Sequence, residues 1–233
     1  RQNRRVSAYA HTADLILGAF FFAMRSCEYC KTARPGRTKR TRMGCIVFRT
    51  LSRRVLRLDD PDLLKIADYV TIVFEDQKNG KKMDARTQRR TDHPILCPVK
   101  RWAAVVTRVQ ETIPNCHDAI WNGDSTLLLT NSFLLTFIWS SCPSLGGYCP
   151  FGFHPHEIGN KSIQSGAAVA LFLANHSPAK IMILGPWSSD AFLVYIRPQI
   201  LEWTNKCSLF TPAHAHDPHC CDYSVPRHIN TQL

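Results

Sequence analysis

The sequence has no apolar run long enough to cross a bilayer. The longest run covers residues 15–24 and is interrupted only by Gly18, whereas a spanning helix needs roughly 20 apolar residues. The run also lacks the small-residue cleavage site of a signal peptide. No internal repeat and no low-complexity tract is present. These absences argue against an integral membrane protein and a repeat protein, and they predict no membrane partner; the cysteines discussed below predict an intracellular protein.

Acidic residues are scarce relative to basic ones. Asp and Glu number 18 against 29 Lys and Arg, which gives a formal net charge of +11. A basic domain of this size is typical of a protein with a polyanionic partner, most often nucleic acid. The chain has 233 residues, 45% of them hydrophobic, and can therefore bury the core of one domain. It begins with Arg1 rather than Met, which indicates a fragment.

The ten cysteines show neither a metal-binding nor a disulfide pattern. Cys27 and Cys30 form a C-x-x-C, but no second pair at zinc spacing accompanies them. Cys27 and Cys97 lie within apolar patterns, which favours reduced, buried thiols. Metal-capable side chains near the C-terminus have spacings that fit no closed tetrahedral site: His214, His216, His219, Cys220, Cys221 and His228. We predict no metal and no cofactor, and a metal-binding or interaction protein acting through this tail is the weakest alternative.

The apolar run predicts a buried central helix over residues 12–30, with Thr12 as its N-cap. Arg25 follows the run directly. A charge at the end of a buried helix needs a partner, so Arg25 either pairs with Glu28 or extends to the surface. Residues 1–11 are basic and polar, and we interpret them as the remnant of a linker.

Alternating patterns predict a small sheet. Residues 44–50 and 69–75 have the pattern of half-buried strands. Asn79 and Gly80 predict a two-residue hairpin turn, after which KKMDART returns as the next strand. Three lysines lie beside this turn: Lys78, Lys81 and Lys82.

Two further helices are predicted between the sheet and residue 159. The first starts at Pro98, and the second covers about 131–142. The apolar residues of the first recur at steps of three and four, which is typical of one buried face: Val99, Trp102, Val106, Val109 and Ile113.

Three short helices are predicted between residues 159 and 199. Asn160 or Ser162 would cap the first. Ser177 and Pro178 open the second, and Gly185 would end it as a left-handed C-cap. The apolar face of the first helix would comprise Ile163, Ala167, Ala170, Leu171 and Ala174. The third helix would begin at Ser188 or Ser189 and carry Phe192, Tyr195 and Ile196.

The stretch SIQSGAAVALFLANHSPAKIMILGPWSSDAFLVYIR resembles the C-terminal signature of tyrosine recombinases, or phage-type integrases, particularly those of mobile elements. AMRSCEY is similar to the family's first catalytic motif, L-x-R-x-x-E. The resemblance covers residues 12–204 and leaves 205–233 as an irregular tail. It implies a mixed α+β, mainly α fold: a recombinase catalytic domain with a small antiparallel three-stranded sheet on a helical core.

The resemblance also implies the catalytic residues. Tyr195 matches the family's nucleophile, Trp187 its His or Trp, and Arg25 its first catalytic arginine. A hairpin lysine serves the family as general acid; Lys78 is the best match, with Lys81 and Lys82 as close rivals. The DNA backbone would contact the basic loop and the hairpin: Arg37, Lys39, Arg40, Arg42, Lys81 and Lys82.

Two catalytic positions depart from the family's pattern, and Pro186 replaces the family's usual, non-catalytic Arg before Trp187. Lys161 stands where the family has His, and Gln164 where it has its second catalytic Arg. Losing one strong transition-state donor typically costs on the order of 10²–10³ in rate. Lys161 is a flexible point charge and cannot reproduce the bidentate fork of a guanidinium.

The implied function is recombination or integration of double-stranded DNA through a 3′-phosphotyrosyl intermediate, impaired in this copy. This covalent chemistry requires no metal. The family works as a synaptic tetramer on DNA, and a DNA partner implies the nucleus. The alternative is a catalytically inactive DNA-binding remnant of a mobile-element recombinase.

Overall fold

The computed structural model of the chain describes residues 2–32, 38–112, 120, 129–142, 154–187, 189 and 192–196. Within these ranges the fold is mixed and mainly helical, as predicted, with one antiparallel sheet. The helices are α1 (Gln2–Phe21), α2 (Ser26–Tyr29), α3 (Leu63–Ile66), α4 (Pro98–Thr112), α5 (Asn131–Ser141), α6 (Ser162–Leu173) and α7 (Pro178–Leu184). The strands are β1 (Ile46–Arg49), β2 (Val55–Leu56), β3 (Tyr69–Asp76) and β4 (Lys82–Arg89).

The described sheet has four strands, in the order β2-β1-β3-β4, so the prediction of three strands is wrong by one. The additional strand, β2, is only two residues long and lies between arginines, so it leaves no alternation in the sequence. It is defined by its antiparallel pairing with β1, in which Val55 lies opposite Arg49.

The hairpin between β3 and β4 is present as predicted, but its loop has three residues rather than two. The Gln77 N–H donates to the Lys81 carbonyl at 2.9 Å, and the Gly80 N–H donates to the Gln77 carbonyl at 2.9 Å. Gly80 has φ 83°, the left-handed conformation that closes a three-residue loop of this kind.

Helix α1 begins ten residues earlier than predicted. Thr12 is not its cap, because the Thr12 hydroxyl donates to the Ala8 carbonyl at 2.8 Å inside the helix. The segment that we interpreted as a linker is therefore helical from Gln2. The helix ends at Phe21, where the chain turns through Ala23 with φ 48° before α2 begins.

The apolar run of α1 is central, as predicted. Helix α1 packs against α4 and α6, and none of residues 11–24 is exposed. The predicted face of α4 is buried at Val99, Trp102, Val106 and Val109, whereas Ile113 lies outside the described residues. Trp102 meets Phe22 edge to face, with ring centroids 6.2 Å apart. Among the described residues, no helix is long and apolar enough to cross a membrane.

A buried carboxylate joins α1 to α4. Asp14 is 4% exposed. Its Oδ1 forms an ion pair with Nη1 of Arg101 and its Oδ2 with Nη1 of Arg108, each at 2.5 Å. One turn before it on the same helix is His11, which is 7% exposed. Burial and the nearby Arg108 guanidinium lower the pKa of His11 from 6.5 to about 4.

The lowered pKa of His11 makes the fold sensitive to acid. The unfolded chain binds a proton at this histidine below about pH 6.5, whereas the folded chain binds it only near pH 4. Stability is therefore fully present above the unfolded pKa and falls as pH decreases through this window. We expect His11 to reduce the free energy of unfolding by about 2 kcal/mol between pH 7 and pH 5, measured by urea unfolding.

The control for this prediction is a pair of variants. His11→Gln cannot charge, so its stability should fall less than that of the native chain between the two pH values. His156→Gln, at an exposed histidine outside α1, controls for the loss of an imidazole elsewhere in the chain. Equal losses in the native chain and in His11→Gln would contradict the assignment.

Candidate active site

The sequence-predicted site is organised around the turn that follows α7. The Pro186 carbonyl accepts hydrogen bonds from Arg25 Nη2 at 2.9 Å and from Asn79 Nδ2 at 3.4 Å. The Leu184 carbonyl accepts a longer bond from Arg86 Nη1, at 3.5 Å. Residues from the start of α2, from the hairpin tip and from β4 therefore converge on residues 184–187.

Arg25 pairs with Glu28, which is one of the two outcomes predicted for it. Its guanidinium contacts Glu28 Oε1 at 3.3 Å, and its backbone N–H donates to Glu28 Oε2 at 2.8 Å. Glu28 is 1% exposed, and this burial raises its pKa, while its bonds to Arg25 act in the opposite direction. The guanidinium is held from two sides, by Glu28 and by the Pro186 carbonyl, with its side chain 19% exposed.

Gly185 permits the close approach of Trp187, and it is not the left-handed cap that we predicted. Its φ and ψ are −101° and 170°, which is extended backbone. A Cβ at this position would lie 1.6 Å from Cζ3 of Trp187. The indole occupies the space that any other side chain would need, so glycine is required here for steric reasons. The predicted start of α7 is confirmed, because the Ser177 hydroxyl accepts from the Lys180 N–H.

Trp187 and Tyr195 belong to one hydrophobic cluster. Trp187 is 5% exposed, and its ring lies 5.8 Å from that of Phe192. Residues 193–196 are helical, and Tyr195 is half-buried against this cluster. The structure thus brings together two of the predicted site residues. Ser188 lies outside the described residues.

Gln164 and Lys161 differ in solvent exposure: the glutamine is buried and the lysine is exposed. Gln164 is 4% exposed on the buried face of α6, and within the described part of the chain nothing accepts a hydrogen bond from its Nε2. Lys161 is exposed at the N-cap position, which we had predicted for Asn160 or Ser162. The lysine therefore does not share the buried position of Gln164.

The buried face of α6 is rotated relative to our prediction. Ala170 and Ala174, predicted to face the core, are exposed. Ile163 and Ala167 are buried as predicted, together with Gln164 and Ala168. The prediction was wrong for Ala170 and Ala174 because the apolar residues of this helix extend around most of its circumference, so their spacing does not single out one face.

The three hairpin lysines are all exposed, and they differ in position. Lys81 lines an open cleft of about 510 Å³, whose walls come from β4 and α7 and which includes Trp187. The side chain that bonds to the turn is Asn79, and neither Lys78 nor Lys82 is among the residues lining this cleft.

Arg86 is a cleft residue that the sequence analysis missed. It is 8% exposed, bonds to Asp84 Oδ2 at 2.6 Å through Nη2, and lines the cleft together with Lys81. The guanidinium also lies 5.3 Å from the centroid of the Phe74 ring. The alternation of KKMDART could have indicated it, because Asp84 and Arg86 fall on the same face of the strand as the buried residues of its neighbour.

The basic loop is described only in part. Arg37 lies outside the described residues; Lys39 is exposed and Arg40 half-buried. Arg42 forms an ion pair with Glu75, which offsets its charge. The loop therefore presents less unpaired positive charge than its sequence suggests.

The C-x-x-C cysteines are free thiols. Burial raises the pKa of both Cys27 and Cys30, so each is a neutral thiol at neutral pH, which is unfavourable for metal ligation or redox exchange. No group of three His, Cys, Asp or Glu side chains in the described ranges could hold a metal ion. The histidines and cysteines of residues 205–233 lie outside those ranges.

No family model matches this chain, and no curated protein or solved structure matches it significantly.

Proposed function

We propose that this chain is a DNA-binding protein with the catalytic domain of a tyrosine recombinase, in which strand cleavage through Tyr195 is impaired. The observation that carries the proposal is the convergence of Arg25, the hairpin tip and the Trp187 turn on the Pro186 carbonyl. These three segments are far apart in sequence, and each was selected by its resemblance to a recombinase motif.

The charges at the cleft favour an anionic ligand. Among the residues that line it, Lys81 and Arg86 are two cations against one carboxylate, Asp84, and Arg25 adds a guanidinium at the adjoining Pro186 turn, where it is paired with Glu28. Guanidinium groups suit a phosphodiester because they stay charged and can bind two oxygens at once.

The same geometry supports impaired cleavage. A phosphoryl transition state spreads charge over its equatorial oxygens and needs fixed cationic donors. Gln164 is uncharged and buried, and Lys161 is exposed one turn before it. We expect the native chain to cleave on the order of 10²–10³ more slowly than a chain with arginine at this position.

A covalent-trapping assay tests this proposal. Nicked duplexes from the DNA that flanks the coding sequence are incubated with the native chain, Gln164→Arg, and Gln164→Arg combined with Tyr195→Phe. A protein–DNA adduct on a denaturing gel should be weak for the native chain and stronger for Gln164→Arg. Tyr195→Phe should abolish it, because the phenol oxygen that attacks phosphorus is gone.

DNA binding measured on the same proteins separates the two candidate functions. Binding without any adduct, even in Gln164→Arg, would favour the alternative of a catalytically inactive DNA-binding remnant. Absence of both binding and adduct would overturn the proposal. The proposal implies that the protein acts in the nucleus and assembles on DNA as a homo-oligomer, which cross-linking on bound duplexes would detect.

A further inference from the structure

A row of cationic and aromatic side chains crosses the sheet on the face opposite the cleft. In this row Arg49 of β1 lies beside Tyr69 of β3, and Tyr69 lies beside Arg89 of β4. Successive residues of a strand point to opposite faces, so Arg89 faces away from Arg86, which lines the cleft. We call this surface the outer sheet face.

Hydrogen bonds fix the neighbouring row. Arg49 Nη1 donates to the Thr71 hydroxyl at 2.8 Å, and the hydroxyls of Thr71 and Thr87 are 2.8 Å apart. The contacts run across β1, β3 and β4, so Arg49 is held against the sheet. Its orientation is therefore set before any ligand arrives, which lowers the entropy lost on binding.

Arg53 adds a third guanidinium to the outer sheet face. Its Cζ lies 4.1 Å from the centroid of the Tyr69 ring, within the range of a cation–π contact. Arg53 and Arg89 are both exposed. Tyr69 is thus flanked by Arg53, stacked on its ring, and by Arg89, its partner on the adjacent strand.

The backbone at Arg53 is strained because closure of its loop requires a positive φ at a residue that is not glycine. Arg53 has φ 67°, a left-handed conformation that costs a non-glycine residue about 1 kcal/mol or more. The loop between β1 and β2 closes like the β3–β4 hairpin: Thr50 N–H donates to Arg54 O, and Arg53 N–H donates to Thr50 O. In the second hairpin the equivalent position is Gly80. An arginine therefore stands where glycine fits without strain, and strain of this kind concentrates at functional sites.

The charge of this face is mainly positive. Arg49, Arg53 and Arg89 lie on it, against Glu75, which is already paired with Arg42, and Asp68 at its edge, whose Oδ2 accepts from the Leu51 N–H. Strands are spaced about 5 Å apart, so the guanidinium groups of β1 and β4 spread over roughly 10 Å of a flat surface. Such an array complements the regularly spaced phosphates of a duplex.

We propose that the outer sheet face is a second nucleic-acid surface, which holds the phosphate backbone of duplex DNA independently of the cleft. It does not depend on Tyr195 chemistry. It would keep DNA bound when the cleft cannot cleave, or would hold a second duplex on the opposite side of the sheet.

Arg53→Gly provides the sharpest test. Glycine relieves the left-handed strain while removing the stacked guanidinium, so Tm should stay the same or rise by up to about 4 °C. Affinity for a fluorescein-labelled duplex, measured by anisotropy over a salt series, should fall several-fold. The slope of log K against log salt should fall by about 1 for this variant, and by about 2 when Arg89→Gln is added.

Arg57→Gln is the matched control, because this arginine is exposed but already paired with Asp59 at 2.7 Å. It should leave the slope unchanged. An unchanged slope in Arg53→Gly and Arg89→Gln, or an equal decrease in Arg57→Gln, would overturn the proposal. So would displacement of the duplex by poly-glutamate of matched charge as readily as by unlabelled duplex.

The outcomes of this test are separable from those of the cleavage proposal. Salt-dependent binding that needs Arg53, with no adduct from any variant, would reject cleavage and support the outer sheet face. A Tyr195-dependent adduct, together with a salt slope that Arg53→Gly does not change, would support cleavage and reject the outer sheet face as a DNA-binding surface.

Discussion

Asp14→Asn should lower the free energy of unfolding by about 3 kcal/mol. The substitution keeps the size of the side chain and removes its charge, leaving Arg101 and Arg108 without their shared partner. Loss of one partner from a fully buried pair costs about 3–5 kcal/mol, and these arginines are 23% and 29% exposed, which favours the lower end. Urea unfolding at neutral pH, followed by far-UV circular dichroism, measures the change.

Asp59→Asn is the matched control for this experiment. Asp59 also pairs with an arginine, but both side chains are more than half exposed and screened by water, so its loss should cost far less than that of Asp14. Similar costs for the two variants would show that burial of Asp14 does not determine the strength of the α1–α4 contact. Asp14→Asn should also make the fold more acid-sensitive, because the Asp14 charge opposes the lowering of the pKa of His11.

Gly185→Ala should destabilise the fold by about 3 kcal/mol and disturb the candidate active site. The new methyl group would overlap three ring atoms of Trp187, at 1.6, 1.9 and 2.7 Å. Trp187 must then move, and with it the Pro186 carbonyl that accepts from Arg25 and Asn79. Urea unfolding gives the stability change, and the near-UV circular dichroism of the tryptophans reports the displacement of the ring.

Two further variants test the cause. Gly159→Ala meets no heavy atom within 4 Å and should be close to neutral. Adding Gly185→Ala to Trp187→Ala should cost little beyond Trp187→Ala itself, because the clash is absent once the indole is removed. Additive costs in that double variant would refute the steric explanation.

The elements that the sequence predicted well are those with a distinctive local pattern, such as a narrow apolar stripe or a turn dipeptide. Helix α4 has a narrow apolar stripe, and four of its five predicted positions are buried. The β3–β4 hairpin was found from Asn79 and Gly80, because the loop demands a residue tolerant of positive φ. The patterns failed in α6, which is apolar nearly all round, and in β2, which is too short for alternation.

The sequence could predict individual residues of the candidate active site, but not the contacts between residues that lie far apart in the chain. The pairing of Arg25 with Glu28 follows from a charge at the end of a buried helix. Its second bond, to the Pro186 carbonyl, joins residues 161 positions apart, and local spacing carries no information about it. Gly185 was misjudged because a glycine after a helix suggests a cap, whereas here it clears space for a ring two residues later.

The packing of α1 against α6 has a consequence during synthesis. Helix α1 is synthesised before its partner, and residues 22–161 must be translated before the first turn of α6 appears. At about 5–20 residues per second, this interval is roughly 7–28 s. Through that time part of the apolar surface of α1 lacks its native cover, so the nascent chain is exposed to aggregation and is a natural client for chaperones that bind apolar segments.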